Sequence, residues 1–432
     1  MATGYSLSAT TVSSLSDLYE KTNTDVKTGI KLVTEEAKWF RSYPRENIKV
    51  SGNENRVPLI LTQPNAVAMI ADGGNERIML SPAPTHGTFM PVCANVRYGY
   101  TGLAQALTNR SRAAMIEDQT GFQAQMAVYS IARAIGLQTY GASTGTVAVV
   151  KTTGSAGTTQ NGIAIKNAYG SATWCPGGDT GVQDTYLSNL FRVGDRIALI
   201  RSAAIVEFAS VSASPSAGSG VGFIDAVFTS SITPTANDLI VFAMADGDNT
   251  ITGTDVNNWP YGFTDALLSS SVLGLATSSA PLWAAGSTSI TTQRFAFQVK
   301  EKMINDCWNA GGVKLNRFIL GQGVRRDTIA GERGGRRYDS AEFDVEGDLN
   351  PGQGEKYFTS QLALPGTVIG WYDQAYSKIE LSDLPDDGAG KSIFKLDKVQ
   401  GKSQIAAAYE YYYARIVTSR AAMGYATNLS SQ

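Results

Sequence analysis

The apolar residues of the first 45 positions recur in steps of three and four. Leu15, Leu18, Ile30 and Phe40 belong to this series, which stops before Pro44. Such spacing places apolar side chains on one face of a helix or of two short helices, and the residue before a proline disfavours helical geometry. After thirteen mostly small or polar residues, which we expect to form a mobile terminus, the pattern predicts a helical arm.

Short β-prone runs replace this pattern between residues 46 and 95. Three of them are Val57 to Leu61, Ala66 to Ile70 and Arg77 to Leu80, and Asp72-Gly73-Gly74-Asn75 lies between the last two. The glycines tolerate the positive φ angles that a tight reversal needs. We therefore predict a projecting hairpin whose apolar side chains are buried against another surface, most simply a second copy of the chain.

A long amphipathic helix is predicted from Leu103 to Leu137. Phe122, Met126 and Tyr129 fall on one face of this helix, and Gly136 is its predicted stop.

A segment rich in Gly, Ser and Thr follows, from residue 144 to about residue 254. Its apolar runs predict short strands separated by turns, and they are Val147 to Val150, Ile163 to Ile165, Ile197 to Ile200, Ile205 to Phe208, Phe223 to Phe228 and Leu239 to Phe242. Strands at this spacing are typical of a small barrel or a sandwich, which we expect to be inserted into the main body.

The last third of the chain mixes one helix with further strands. Thr291 to Ala310 carries an apolar stripe closed by Gly311-Gly312, which predicts a second helix. A buried strand is predicted from Phe318 to Leu320, and a flexible loop rich in Gly and Arg follows it. The Tyr-rich end of the chain predicts long strands of a central sheet.

Composition narrows the possible functions. The chain has 432 residues, too many for one hydrophobic core, and 43% of them are apolar. With 36 basic and 38 acidic residues the formal charge is -2, which argues against tight nucleic-acid binding by the whole surface. Three cysteines far apart fit neither a disulfide framework nor a zinc site. No leader and no membrane-length apolar run is evident, so we expect synthesis in the cytosol and no membrane partner.

Few residues favour catalysis or metal binding. The one histidine, His86, lies in a Pro-rich segment and is expected to be solvated. Asp246-Gly247-Asp248-Asn249 begins like a calcium loop, but Ile251 occupies the position that requires glycine. The glycine clusters at 218–222 and 321–323 lack the lysine of a phosphate-binding loop. We therefore predict no enzymatic activity, no cofactor and no metal site.

An acidic segment follows the arginine-rich loop. Glu342, Asp344, Glu346 and Asp348 alternate with other residues, so in an extended chain their carboxylates share one side. That side is either a strip that binds a divalent ion or arginine, or the solvated face of a half-buried strand. We hypothesise that the arginine loop of one subunit meets the carboxylate strip of its neighbour around a symmetry axis. The candidate subunit-interface residues from the hairpin and from this region are Val57, Leu59, Leu61, Met69, Ile70, Arg325, Arg326, Arg333, Arg336, Arg337, Glu342, Asp344 and Glu346.

In the order of these segments the chain resembles the major capsid proteins of tailed bacteriophages with the HK97-like fold. The resemblance rests on NRSRAAMIEDQTGFQAQMAVYSIARAIG after the hairpin, and on GFTDALLSSSVLGLATSSAPLWAA followed by the helix that begins TTQRFAFQVKEKMINDCWNAGG. It implies an α+β fold composed of an N-terminal arm, an E-loop hairpin, a spine helix, a P-domain and an A-domain, with the β-rich segment as an insertion domain. The implied boundaries are 1–45 for the arm, 46–95 for the E-loop, 96–143 for the P-domain with the spine helix, 144–254 for the insertion, 255–310 for more of the P-domain, 311–400 for the A-domain, and 401–432 for the return strand and C-terminus.

The resemblance also implies a function. Hexamers and pentamers of the chain would close into an icosahedral shell in the host cytoplasm and would remain as the capsid of the virion. The shell would enclose double-stranded DNA by weak, non-specific contact. The implied partners are a portal protein, with scaffolding and decoration proteins as further candidates. Two alternatives stay open: an encapsulin-like compartment shell and, from a different class, a β-rich glycan-binding or hydrolytic protein.

Overall fold

The structure is a computed structural model. It describes residues 9–10, 55–59, 85–89, 91–101, 130–131, 133–140, 145–167, 190–202, 204–213, 216–218, 221–242, 262–277, 283–293, 295, 297–321, 324–325, 328, 355–360, 363, 366–380, 393–398 and 404–429. The predicted arm lies outside these residues except for Ala9–Thr10, and so do the predicted strands 66–70 and 77–80.

The described residues are mostly strands. In chain order these are β1 (Ala9–Thr10), β2 (Asn55–Leu59), β3 (Thr85–Phe89), β4 (Val92–Thr101), β5 (Thr146–Val150), β6 (Gly157–Asn167), β7 (Arg196–Arg201), β8 (Ala204–Val211), β9 (Ser216–Gly218), β10 (Val221–Ile232), β11 (Leu239–Phe242), β12 (Ser271–Val272), β13 (Leu275–Ala276), β14 (Gly286–Gln293), β15 (Arg317–Gly321), β16 (Lys356–Ser360), β17 (Val368–Trp371), β18 (Tyr376–Glu380), β19 (Ile393–Lys398), β20 (Gln404–Val417) and β21 (Met423–Leu429). Helix α1 contains residues 130, 131 and 133–140, α2 is Phe263–Leu268 and α3 is Phe297–Gly311. A 3-10 turn, Arg420–Ala422, separates β20 from β21.

The longest strand, β20, organises one sheet. It pairs antiparallel with β4 over ten positions, from Gln404 opposite Thr101 to Tyr413 opposite Val92. Its other side pairs first with β19 and then with β18. The aromatic and β-branched residues of this segment suit a pleated surface buried on one side, and its predicted strand character is confirmed. The prediction of one central sheet is wrong, because the end of the chain continues as β21, which lies with β17 in a different sheet. Ala9–Thr10 pairs parallel with β4, so these two residues are part of the sheet and not of the mobile terminus that the sequence predicted.

Strands β5 to β11 form a barrel. The order β6-β5-β11-β7-β8-β10 closes because β10 also pairs with β6, and β9 extends the sheet from β10. All six apolar runs predicted in this segment lie in strands. Their inward side chains form a separate core that includes Val150, Ile165, Leu199 and Ile224. Closure allows the strands of the ring to pair on both sides, because a closed sheet has no free edge. Of the two predicted architectures, the structure has the barrel.

A second large sheet has the order β14-β21-β17-β15-β16, and α3 packs against it. Three glycines occupy adjacent positions on three neighbouring strands, since Gly286 is opposite Gly424 and Gly424 is opposite Gly370. A Cβ atom at Gly286 or Gly424 would lie 2.7 or 2.6 Å from Cys307 Sγ of α3, and one at Gly370 would lie 2.8 Å from Met303 Cε. The glycines therefore form a groove that brings α3 closer to the sheet than side chains would permit.

Each predicted helix differs from the structure at one end, and residues 103–129 of the first lie outside the described residues. Helix α1 continues through Tyr140, so Gly136 is a buried interior residue and not the stop. Its neighbours Ile135 and Tyr140 are buried too, and this packing outweighs the weak helix propensity of glycine. Helix α3 begins at Phe297 because the preceding residues, up to Gln293, pair with β21 as β14. It ends at Gly311, as predicted, and the φ of +69° at Gly312 explains why glycine follows the helix.

Candidate functional site

Strands β2 and β3 form a two-stranded ribbon, here called the hairpin base, within residues 46–95, where the hairpin was predicted, although β3 was not among the predicted strands. They pair antiparallel from Asn55 opposite Phe89 to Leu59 opposite Thr85. We call the described part of the chain outside the barrel the body. Val57, Leu59 and Phe89 are buried in its hydrophobic core. The strict alternation of buried and exposed residues along β2 reflects a ribbon with one covered face.

The cover of that face comes from the same chain. The backbone N–H of Thr88 donates to the carbonyl of Leu273, 3.0 Å away, and a Cβ at Gly87 would lie 2.9 Å from Leu273 Cβ. Leu273 occupies the tight turn between β12 and β13 with a φ of +53°. The hairpin was predicted to bury its apolar residues against another subunit, but the structure gives Val57 and Leu59 partners within their own chain. The outer face of the base exposes Arg56, Pro58 and His86 instead.

The other candidate interface residues are mostly outside the described part of the chain. These are Leu61, Met69, Ile70, Arg326, Arg333, Arg336, Arg337, Glu342, Asp344 and Glu346. Arg325 is described, and it lies half-buried in a helical turn beside the fully buried Val324. The Thr328 hydroxyl donates to the Val324 carbonyl at 2.8 Å, so the first residues of the predicted loop are helical. The pairing of arginines with carboxylates between subunits stays a prediction.

Two buried arginines near the end of β20 bind the backbone of two helices. The first, Arg415, donates from Nη2 to the Ile135 carbonyl at 3.1 Å and to the Thr139 hydroxyl at 2.7 Å. Its Nη1 reaches the Tyr376 hydroxyl at 3.4 Å. These contacts connect β20 to the last described turns of α1.

The second buried arginine, Arg420, binds the end of α2. It donates to the carbonyls of Ala266, Leu267 and Ser269 at 2.7, 3.2 and 2.9 Å. The last four carbonyls of a helix have no partner within it, and this guanidinium supplies one for two of them. Burial lowers the pKa of Arg420, which reflects the cost of placing a charge here.

Aromatic rings lie close to Arg415, whose guanidinium is 5.9 Å from the ring centre of Tyr413. Tyr411 and Tyr413 stack at 4.8 Å, and the Tyr411 hydroxyl donates to Glu380 at 2.6 Å. Lys378 pairs with the same carboxylate at 3.1 Å. Burial raises the pKa of Tyr376 and Tyr411, and it raises that of Tyr413 to about 12.

A similar buried pair joins α3 to the second sheet. Lys300 lies 2.9 Å from Glu355, and the Tyr357 hydroxyl donates to the same carboxylate oxygen at 3.0 Å. The thiol of Cys307, farther along α3, is buried over the glycine groove, and burial raises its pKa to about 12. These polar groups are satisfied by structural partners.

One arginine connects the body to the barrel. Arg133 of α1 donates from Nη1 and Nη2 to the two carboxylate oxygens of Asp195, each at 2.8 Å, and also to the Leu190 carbonyl at 2.5 Å. Its guanidinium lies 5.3 Å from the ring centre of Phe242 at the end of β11. The arrangement combines a fork-shaped ion pair with a cation–π contact.

Within the described ranges, no three His, Cys, Asp or Glu side chains gather in a way that could hold a metal ion. In the same ranges, no helix has the length and apolar character needed to cross a bilayer.

Sequence comparison finds no relative: no protein-family model and no curated protein matches the chain. Comparison with solved structures does find similar proteins. A chain from the capsid asymmetric unit of cyanophage A-1(L) is similar with a TM-score of 0.52 at 8% identity, and the match covers 90% of each chain. The chain has a phage-capsid fold. The predicted resemblance to phage capsid proteins is thereby confirmed at the level of the fold.

Two further structures are similar to this chain over most of its length, at lower TM-scores. One is the holo-SrpI encapsulin complex from Synechococcus elongatus PCC 7942, with a TM-score of 0.44, 9% identity, and coverage of 95% of this chain and 91% of that chain. The other is from Gordonia phage Cozz, with a TM-score of 0.40, 12% identity, and coverage of 91% and 86%. The α+β class of the capsid fold is confirmed, while the assignment of individual segments to arm, E-loop, P-domain and A-domain stays a prediction.

Sequence reasoning missed the arginines that hold this capsid fold together. A signal was present, since Arg415 interrupts the apolar run YYYARIV and Arg133 lies on the apolar side of a predicted helix. A charged residue inside an apolar run is seldom buried without a partner. The identity of that partner, however, could not be read from the neighbouring residues.

Proposed function

We propose that this chain is the structural, non-enzymatic major capsid protein of a tailed bacteriophage. Copies of it assemble into hexamers and pentamers, and these close into an icosahedral shell around double-stranded DNA. The observation that carries the proposal is the fold shared with the cyanophage A-1(L) capsid chain over 90% of both chains. Assembly takes place in the host cytoplasm, and the protein then remains in the virion.

The anchored hairpin base supports an assembly role. Leu59 and Thr85 are paired, and 25 residues, 60–84, connect them. If strand pairing continued along this segment, the hairpin would extend about 40 Å beyond its base, at roughly 3.3 Å per residue. A fixed base and a long connecting segment suit contact with a neighbouring subunit, and Leu61, Met69 and Ile70 are the apolar residues we assign to it.

The charge of the chain supports weak contact with DNA. A formal charge of -2 over 432 residues leaves no general excess of positive charge to bind phosphates. Packaged DNA can then move against the inner wall. A portal protein, a scaffolding protein and a decoration protein complete the set of proposed partners.

Electron microscopy of the purified full-length protein tests assembly. We expect closed icosahedral shells at high protein concentration. Small discrete oligomers at every concentration and salt condition would contradict the proposal. Shells that enclose a specific protein cargo, and that form without a portal vertex when the portal protein is co-expressed, would favour the encapsulin-like alternative.

The predicted arginine–carboxylate contact has its own test. The double variant Asp344→Lys, Glu346→Lys should fold but assemble poorly, because like charges would then face each other around the axis. A second variant that adds Arg336→Glu and Arg337→Glu should recover part of the assembly. Lys302→Glu, on the exposed face of α3, is the control for a change of charge alone. Normal assembly of the first variant would refute the contact.

A further inference from the structure

The barrel has a hydrophobic core of its own. Every described residue of that core lies between Val147 and Ile240, and none belongs to the body. The chain enters through β5 and leaves through β11, which are neighbours, with Thr146 opposite Val241. A closed unit joined through two adjacent strands can change its orientation without breaking its own hydrogen bonds or exposing its own core. Contacts with the body must therefore fix that orientation.

Arg133 makes such a contact at two separate places on the barrel. Both ends of its guanidinium fork bind Asp195, and Nη2 also binds the Leu190 carbonyl, so the arginine holds the loop before β7. Only 20% of the Arg133 side chain and 16% of the Asp195 side chain are exposed, so solvent screens this pair less than a surface pair.

The second place is the last strand of the barrel. The Arg133 guanidinium lies 5.3 Å from the Phe242 ring centre, and that ring lies 5.7 Å from Phe191. Phe191 is buried in the barrel core. Because one rigid, planar group touches both the loop and β11, it restricts rotation of the barrel as well as separation from α1.

We propose that Arg133 is the positioning residue that fixes the orientation of the β5–β11 barrel relative to helix α1, while the barrel folds without needing it. In an assembled shell, this residue would determine which way the barrel faces. The inference concerns one chain by itself and goes beyond the proposed capsid function.

The barrel offers a matched control for this arginine. Arg201 also binds a carboxylate through two parallel contacts, from Nε and Nη2 to Asp238 at 2.7 Å each, and its Nη2 reaches the Thr233 carbonyl at 3.0 Å. All three residues belong to the barrel. Loss of Arg201 should therefore affect the stability of the barrel and leave its orientation unchanged.

The test measures an intramolecular distance in the full-length chain. One spin label is placed on the native Cys93, which is exposed on β4, and another on Thr158→Cys, exposed on β6. Cys175 is replaced by serine, and Cys307 is buried. Labelled chains are diluted with unlabelled chains, so that only distances within one chain are recorded whatever the assembly state. Pulsed electron spin resonance gives the distance distribution, and hydrogen exchange of β7 and β10 reports on the barrel.

We expect a narrow distribution for the parent chain and for Arg201→Met, and a broader or displaced one for Arg133→Met. Exchange in β7 and β10 should rise about fivefold in Arg201→Met and stay at the parent level in Arg133→Met. An unchanged distribution in Arg133→Met would overturn the proposal. So would faster exchange throughout the barrel in that variant, because Arg133 would then act on folding.

Arg133→Lys keeps the positive charge but lacks the planar guanidinium that makes two contacts with Asp195. This variant replaces Arg133→Met in the distance measurement if Arg133→Met does not yield folded protein. We expect it to broaden the distribution by less than the methionine variant does. A distribution as narrow as that of the parent would show that the charge alone is sufficient and would overturn the role of the planar contact.

Discussion

The barrel and the body bury different kinds of side chain. The barrel core consists of aliphatic residues, alanines and phenylalanines, and Asp238 is the one charged residue buried among the described barrel positions. The body encloses Trp283, Trp371 and several tyrosines, together with the guanidinium groups of Arg415 and Arg420. It also encloses complete ion pairs, such as Lys300 with Glu355.

Topology explains this difference. In a closed barrel the backbone groups of the ring strands pair with neighbouring strands, so the core needs no side chain to satisfy them. The body instead buries the end of α2, whose last carbonyls have no partner within the helix. Arg420 supplies donors to two of these carbonyls, those of Ala266 and Leu267. The buried charge of Arg420 is thus a consequence of a helix that ends in the interior, while Arg415 connects β20 to a carbonyl and a hydroxyl within α1.

Alkaline pH should separate the two regions most strongly. Cys307, Tyr376, Tyr411 and Tyr413 of the body have pKa values raised by burial, whereas the described barrel residues include no tyrosine or cysteine. Above the ordinary pKa values of about 8.5 to 10, the unfolded state has lost protons that the folded state retains, so stability falls as pH rises. Each group contributes up to about 1.4 kcal/mol per pH unit in that range. Their stabilising effect is fully present below pH ~8.

Thermal unfolding followed by calorimetry between pH 8 and pH 11 measures this effect. As pH rises, we expect the midpoint temperature of unfolding of the body to fall several times more than that of the barrel. Tyr413→Phe should make the midpoint temperature of the body less dependent on pH, since one titrating group is removed. Equal shifts of both regions would contradict the comparison.

Replacement of Arg420 should have the next largest effect. Arg420→Met leaves the carbonyls of Ala266, Leu267 and Ser269 without their donor, and we expect a loss of about 2–4 kcal/mol from the body. Calorimetry or denaturant unfolding of the full chain provides the measurement. The control is Arg56→Met on the exposed face of the hairpin base, which should change stability by less than about 0.5 kcal/mol. A body as stable in Arg420→Met as in the parent chain would show that these contacts have little net value.

Adding a methyl group in the glycine groove should lower the stability of the body by a smaller amount, and a second substitution should restore part of it. In Gly424→Ala the new methyl group meets Cys307 Sγ at 2.6 Å, which should cost about 1–3 kcal/mol by overpacking. The double variant Gly424→Ala, Cys307→Ala removes the opposing sulfur and should recover part of that loss. Gly154→Ala in the barrel is the matched control, because its nearest contacts would be at an ordinary 3.4 Å. If the double variant is no more stable than Gly424→Ala, steric contact is not the cause.

The smallest effect is expected in the barrel. Arg201→Met removes the partner of the buried Asp238, but 43% of the Arg201 side chain is exposed, and solvent screening limits the loss to about 1 kcal/mol. Asp238 keeps the N–H of Thr235 as a donor at 2.7 Å. Hydrogen exchange of barrel peptides should detect the change, while the body stays as it was. A change in the unfolding midpoint of the body in Arg201→Met would mean that the barrel and the body do not unfold independently.

The same contrast governs what could be predicted from the sequence. Each barrel strand shows a short apolar run bounded by turn residues, and the strands it pairs with are all within about 100 positions. All six apolar runs were therefore identified correctly. Body strands pair over much longer separations, as β4 does with β20 about 300 positions later. The strand character of β20 was predicted, but its partners were not.

The hairpin shows this limit for the candidate site. The strand character of β2 follows from the alternation along it. Its partner β3 was not among the predicted strands, and the predicted strands 66–70 and 77–80 lie outside the described residues. Alternation indicates that one face of the strand is buried, yet it does not identify the residues that pack against that face. We expected a second subunit to cover Val57 and Leu59, and in the structure both belong to a hydrophobic core of their own chain that also contains Leu273.

The sequence by itself determined the β-rich character of residues 144–242, the α+β class and the order of segments that resembles phage capsid proteins, because periodicity and turn residues act over a few positions. Only the tertiary structure decided that the β segment closes into a barrel, that Gly286, Gly370 and Gly424 align beneath α3, and that three arginines bind distant backbone or carboxylate groups. Those outcomes depend on which surfaces meet in space. Side chains hundreds of positions apart become neighbours only when the chain has folded.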